Sequence, residues 1–149
     1  MRLIARINGY HAFVTSLLRG DIFPGPVMVH FLIDTGCTNT TLLEDDIIRL
    51  NINWINLQED DPVEIAQGTA TPRLLENIEL LLPVKQGFLN LFNGWVSIQY
   101  NHEHPLHIMP PRGTGPYIPR NPSHSLLGMD VLINFPFWRF SKENLLLER

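Results

Sequence analysis

The chain has 149 residues, 44% of them hydrophobic and 17% charged, a globular and not a disordered composition that suits one core of its own. Its 11 Lys and Arg are scattered singly against 15 Asp and Glu, for a formal net charge of -4, so no basic patch gathers phosphates and no nucleic-acid partner is expected. The longest apolar runs, such as Ile78 to Val84 interrupted by Glu79, are far short of the ~20 residues a membrane span needs.

Taken in chain order, Leu3 to Ile7 alternates apolar and polar and ends at Asn8-Gly9, a dipeptide that enters tight hairpin turns cheaply. Ala12 to Leu18 is the expected return strand. Phe23-Pro24-Gly25-Pro26 breaks the pattern before Val27 to Ile33, dense in β-branched and apolar residues and running directly into Asp34. After the polar Thr38 to Thr41, Leu42 to Leu50 carries Glu44, Asp45 and Asp46 early and Arg49 late, the arrangement that complements a helix dipole. Val63 to Ala66 and Arg73 to Leu82 read as strands around Gln67-Gly68-Thr69-Ala70, a hairpin with an exposed tip.

Gly94 to Tyr100 alternates as a half-buried strand does. Residues 101–124 hold Pro105, Pro110, Pro111, Pro116, Pro119 and Pro122, too many missing donors for a central strand, so this stretch reads as a long irregular loop. Val131 to Phe135 suits one helical turn ended by Pro136, and Trp138 to Ser141 and Leu145 to Glu148 suit two closing strands. There is no internal repeat or linker. The expectation is a single all-β domain over 1–149 with one or two short helices.

The chemistry gathers at Asp34-Thr35-Gly36. A buried strand fixes the position of the acid, Thr offers a hydroxyl to nearby backbone, and Gly permits a sharp turn. By composition an Asp-Ser/Thr-Gly tripeptide appears by chance in such a chain on the order of 5% of the time, so its context decides. Phe31-Leu32-Ile33-Asp34-Thr35-Gly36-Cys37-Thr38 is followed some ninety residues later by Ser125-Leu126-Leu127-Gly128-Met129-Asp130-Val131-Leu132. In both places, and in their order and spacing, the sequence resembles the retropepsin-like aspartic peptidases.

That resemblance implies a closed, acid-protease type β-barrel with one lobe per chain. It implies catalytic roles for Asp34, Thr35 and Gly36, and support of their loop by Leu126, Leu127 and Gly128. It also implies a substrate-covering flap at Val63 to Thr71, with Ala66, Gln67, Gly68 and Thr69 lining the cleft. The sequence departs from the family at Cys37, where Ala is usual and where a small thiol fits the same space, and in the length of the 101–124 loop.

Aspartic peptidases need two carboxylates sharing one proton about a water, because two like charges roughly 3 Å apart do not both ionise cheaply. This chain has one such tripeptide, so the second carboxylate is expected from a second copy in a homodimer. Leu3 to Ile7 and Leu145 to Glu148 are the candidates for a sheet shared between copies.

The expected activity is an endopeptidase acting on extended peptides, with neither metal nor cofactor; the lone Cys37 and the lack of a signal-like N-terminus suit the cytoplasm. A second reading, a retropepsin-like dimerisation or peptide-binding module with little turnover, fits the same residues. His102-Glu103-His104 and His107 lack helical spacing and neighbour Pro105, so they read as solvated loop residues and not as zinc ligands. Cys37 reads as an inert thiol, since no histidine is tied to it by a motif. Glu59-Asp60-Asp61 reads as a solvated turn, and Trp54, Trp95 and Trp138 as core or interface fillers.

Overall fold

The computed structural model describes residues 2–65, 68–84, 87–98 and 124–149. Twelve strands are found among them: β1 (Arg2–Asn8), β2 (His11–Gly20), β3 (Val27–Ile33), β4 (Thr41–Leu42), β5 (Gln58–Glu59), β6 (Val63–Ile65), β7 (Gly68–Ala70), β8 (Arg73–Val84), β9 (Gly87–Ile98), β10 (Ser125–Leu127), β11 (Phe137–Phe140) and β12 (Asn144–Glu148). Two short helices, α1 (Glu44–Arg49) and α2 (Met129–Leu132), and a 3-10 turn at Trp54–Asn56 complete the described elements.

Ten strands join one sheet in the order β11-β12-β1-β2-β3-β10-β4-β9-β8-β5, and β6 and β7 form a separate pair. The sheet returns on itself. β2 pairs with β3, β3 with β10, β10 with β4, β4 with β9 and β9 with β8, while β8 pairs back onto the second half of β2 from Leu17 to Gly20. Such a circuit removes open edges from the middle of the sheet. β8 makes the bend this requires through a bulge at Asn77, whose φ of 58° only a few residue types adopt readily.

Alternation along the strands builds the core. Val14, Ser16 and Leu18 of β2, Val29 and Phe31 of β3, Ile78, Leu80 and Leu82 of β8 and Leu127 of β10 are buried, with their neighbours turned outward. Leu3 and Ala5 of β1 meet Leu145 and Leu147 of β12 in a continuation of this core, so the two ends of the chain are stitched together. Trp54 and Trp138 pack against the core from its rim, and Trp138 Nε1 donates to the Phe135 carbonyl at 2.5 Å.

The strands expected at Leu3 to Ile7, Ala12 to Leu18 and Val27 to Ile33 are β1, β2 and β3. The first turn sits one residue later than expected: Asn8 pairs with His11, the turn residues are Gly9 and Tyr10, and Gly9 alone takes positive φ, at 62°. In the flap segment, β6 returns on β7, not on Arg73 to Leu82, so Gly68 is paired with Ile65 inside the hairpin. Ala66 and Gln67, at its tip, lie outside the described residues, as do 99–123, with nearly all of the proline-rich loop and its histidines. Among the described residues no helix is long and apolar enough to cross a membrane.

Candidate active site

β3 delivers Asp34 to the end of a buried parallel pairing with β10, in which Ser125, Leu126 and Leu127 lie beside Phe31, Leu32 and Ile33. The Asp34 N–H extends that ladder by donating to the Leu127 carbonyl at 3.1 Å. The Gly36 N–H donates to Asp34 Oδ1 at 2.8 Å, and the Cys37 N–H to the Asp34 carbonyl at 3.3 Å, so the loop folds around the carboxylate in an Asx-type turn. A Cβ on Gly36 would stand 3.2 Å from that same oxygen, so any larger residue there would press on the carboxylate. Asp34 is half-buried, and Thr35 and Gly36 are exposed.

The segment after the loop crosses the end of β10 and is tied twice to the start of α2. Met129 N–H donates to the Cys37 carbonyl at 2.8 Å and Asp130 N–H to the Thr38 carbonyl at 3.0 Å. Asp130 repays this with its carboxylate, accepting from the Thr40 N–H at 3.0 Å, from Thr40 Oγ1 at 2.8 Å and from the Val131 N–H at 2.9 Å. Thr40 Oγ1 in turn accepts from the Gly128 N–H at 3.2 Å. Gly128 is the crossing point: a Cβ there would lie 2.5 Å from Asn39 C, 2.7 Å from Asn39 O and 2.8 Å from Thr40 N, all backbone atoms.

The backbone bonding expected of Thr35 therefore falls to Thr40, together with Thr41, whose Oγ1 donates to the Asn39 carbonyl at 2.9 Å. Cys37 is half-buried; its Sγ donates to the Asn39 carbonyl at 2.9 Å and lies 3.7 Å from Thr41 Oγ1. Burial chiefly pushes its thiol above the ordinary range, the negative charges of Asp34 and Asp130 push the same way, and the Thr41 hydroxyl works against them. A raised thiol stays protonated near neutral pH, which argues against Cys37 as a nucleophile.

Helix α1 braces the same frame. Asp46 accepts from Ser125 Oγ at 2.6 Å and from Arg49 Nη2 at 2.5 Å, while Arg49 Nη2 also donates to the Met28 carbonyl at 2.7 Å. The Ser125 hydroxyl itself accepts from the Leu43 N–H at 3.2 Å. Sequence reasoning chose Asp34, Thr35, Gly36, Cys37, Leu126, Leu127 and Gly128, and all seven meet at this crossing. It passed over Thr40, Asp46, Ser125 and Asp130 as holders of the frame. The available signal for Asp130 was an acid two residues after Gly128, at the start of a one-turn helix.

The hairpin expected to cover the site grows from the β5–β8 pairing, where Gln58 and Glu59 face Leu74 and Arg73, and the Asp60 N–H donates to the Pro72 carbonyl at 2.9 Å. Arg73 clasps this base. Its guanidinium lies 5.2 Å from the centre of the Trp54 ring, donates to the carbonyls of Trp54 and Ile55, and meets Glu59 Oε1 at 2.7 Å. Glu59, read from sequence as part of a solvated turn, is thus a strand residue with an ion partner. Among the described residues no group of three or more His, Cys, Asp or Glu is placed to hold a metal ion.

A mainly β sheet that closes on itself, with an Asp-Thr-Gly loop threaded against a late parallel strand, defines a retropepsin-like fold. A retropepsin-like aspartic protease from Rickettsia conorii has a similar structure, with a TM-score of 0.60 over 99% of this chain and 98% of that one, at 18% identity. That likeness speaks for the fold alone. No protein-family model matches the sequence, and no curated protein matches it.

Proposed function

We propose that two copies of this chain form an aspartic endopeptidase in which Asp34 of each copy supplies one carboxylate. The observation that carries the reading is the Asp34 loop itself. A half-buried carboxylate is oriented by the Gly36 N–H at 2.8 Å, beside exposed Thr35 and Gly36, on a backbone pinned to β10. The protease described for the similar Rickettsia structure supports the same direction.

In this mechanism the two carboxylates share one proton about a water. The ionised one takes a proton from the water as it attacks the peptide carbonyl, and the protonated one gives its proton to the leaving nitrogen. Thr35 lies where the two loops meet, and the peptide lies extended beneath the 63–71 hairpins, with Ala66, Gln67, Gly68 and Thr69 toward it. The whole chain, 1–149, acts as one lobe. Its single cysteine suits a reducing compartment such as the cytoplasm.

The test is digestion of a diverse peptide library between pH 4 and 7 by wild type and Asp34→Asn, each first shown to be folded and of equal size in solution. Loss of the general acid and base costs a rate factor on the order of 10³, and the wild-type profile is bell-shaped because one carboxyl must be ionised and the other not. Absence of cleavage by the wild-type dimer, with peptides still retained on it, would replace the peptidase by a peptide-binding module.

A further inference from the structure

Three of the chain's six histidines stand on one face of the sheet, the face from which Asp34 projects. Along β3, Met28, His30 and Leu32 are turned outward between the buried Val29 and Phe31, and Asp34 follows Leu32 in the same alternation. In the β2–β3 register Thr15 lies opposite His30, and Phe13 opposite Leu32 in the last pair; two residues further on, His11 comes level with Asp34. His124 stands one residue before β10, level with His30 in the parallel β3–β10 register.

Specific contacts orient these rings. Phe13 is the shared support: His11 packs on it edge-on, with 6.3 Å between ring centres, and His124 does so at 4.8 Å. To touch a residue of β2 from the start of β10, the His124 ring reaches across β3. His30 Nδ1 lies 2.7 Å from Thr15 Oγ1. All three histidines are exposed. A carboxylate set over Phe13 would lie within the ~8 Å Debye length of His11 and His124 together.

The fixed charges around this cluster balance. Arg6, exposed, lies opposite Phe13 in the β1–β2 register. Lys142 and Glu143 sit in the turn between β11 and β12, where the Glu143 carbonyl accepts from the Ile7 N–H at 2.9 Å. With Asp34 they make two cations and two anions, so among the described residues the sign of this face is left to its imidazoles. Imidazole is the side chain that ordinarily gains its charge between pH 8 and pH 5.

We infer that this face selects acidic peptides: a Glu or Asp side chain close to the bond held at Asp34 is received over Phe13, between His11 and His124, more firmly at pH 5 than at pH 8. The inference rests on the reading of Asp34 as a peptidase carboxylate and adds a substrate class to it. Charge complementarity carries it. A Glu side chain in a free peptide is ionised at pH 5, where imidazole is charged, so the attraction is strongest between the two titrations and fades above them. The two histidines touch the substrate and leave the proton transfers to Asp34, so they act on which peptide is held and not on how its bond is broken.

Two peptide libraries with the same randomised positions, one carrying Glu and the other Gln at a single fixed central position, test this. Both are passed together over immobilised Asp34→Asn protein at pH 5 and at pH 8, and the retained ratio is read by mass spectrometry. The expected result is about a fivefold excess of the Glu library at pH 5, since each exposed ion pair contributes roughly a two- to threefold factor, and near parity at pH 8. Adding His11→Gln and His124→Gln abolishes the excess, whereas adding Arg19→Gln and Arg139→Gln, which removes two charges elsewhere, keeps it. Circular dichroism checks folding; if the double histidine variant does not fold, the two single variants decide, each losing a two- to threefold factor. No retention, no excess at pH 5, an excess undiminished at pH 8, or one that survives the histidine changes or falls equally with the arginine changes would overturn the inference. Cleavage by wild type is scored separately. Cleavage without acidic preference overturns the selection and keeps the peptidase; a histidine-dependent preference without cleavage keeps the acid-binding face and removes the peptidase.

Discussion

The Asp34 loop and the β6–β7 hairpin belong to the same proposed cleft, yet they are held in place by different means. The loop is fixed along its whole length, by the Asp34–Leu127, Cys37–Met129, Thr38–Asp130 and Thr40–Gly128 bonds. The hairpin stands apart from the ten-stranded sheet and is gripped at its base, by Arg73 and by the Asp60–Pro72 bond. A two-stranded pair alone is marginal in water. The contrast fits a division of labour in which the acid is positioned in advance while the cover yields to an entering chain.

Gly128→Ala is the strongest way to break the fixed half. The new methyl has backbone atoms of Asn39 and Thr40 within 2.5 to 2.8 Å, and backbone cannot swing aside as a side chain does. The expected cost is about 3 kcal/mol of unfolding free energy in a urea titration, the upper range for overpacking a buried site. Thr69→Ala, on the exposed second strand of the hairpin, is the matched control and is expected to cost less than about 0.5 kcal/mol. Equal losses at the two positions would erase the comparison.

Asp130→Asn sharpens it further. The carboxylate accepts from two backbone N–H groups and one hydroxyl, and an amide turns donors of its own toward some of them. A loss of about 2 kcal/mol is expected and, if the proposed peptidase reading holds, a lower activity per folded molecule, because the Thr40 segment that borders the Asp34 loop loses its anchor.

These residues also mark how far the sequence could be read. Alternation located β1, the turn signal at Asn8-Gly9 called for β2 as its return, and apolar, β-branched density located β3, while the tripeptide and its distant Leu126-Leu127-Gly128 partner located the crossing of β3 and β10 because both lie in short contiguous runs. Asp130, Thr40, Asp46 and Ser125 were not legible as a group. They are up to ninety positions apart, and ordinary polar residues join into a network only once β10 lies parallel to β3. The same limit hid the first half of β9, whose pairing with β8 depends on tertiary context, and shifted the turn at Gly9 by one residue.

Arg73→Lys probes the gripped half. A guanidinium presents five donors in a planar fork and stacks on an indole; an ammonium presents three from one point and stacks less well. Global stability is expected to fall by about 1 kcal/mol, the scale of one cation–π contact or one hydrogen bond. If the hairpin covers substrate, the larger consequence is a rise in KM with kcat nearly unchanged, read from peptide hydrolysis by variant and wild type side by side. A fall in kcat with constant KM would instead tie Arg73 to the fixed half.

Cys37→Ala carries the smallest expected effect and returns to the fixed half with a pH test. The thiol gives one weak hydrogen bond, to the Asn39 carbonyl, so the variant is expected within about 1 kcal/mol of wild type at pH 7. Above that pH the two should diverge in a fixed direction. Burial raises the Cys37 pKa in the folded chain from its ordinary 9.0, so the unfolded thiol ionises first and the folded one later. The stabilisation of the neutral thiol is fully present below the unfolded value and is lost as pH climbs from there toward the folded value. Urea titrations at pH 7 and pH 10 should therefore show wild type losing stability relative to Cys37→Ala, with the other titrating groups cancelling between them. A relative gain for wild type at pH 10 would mean that the folded loop stabilises a thiolate, and Cys37 would then need to be reconsidered as a reactive group beside Asp34.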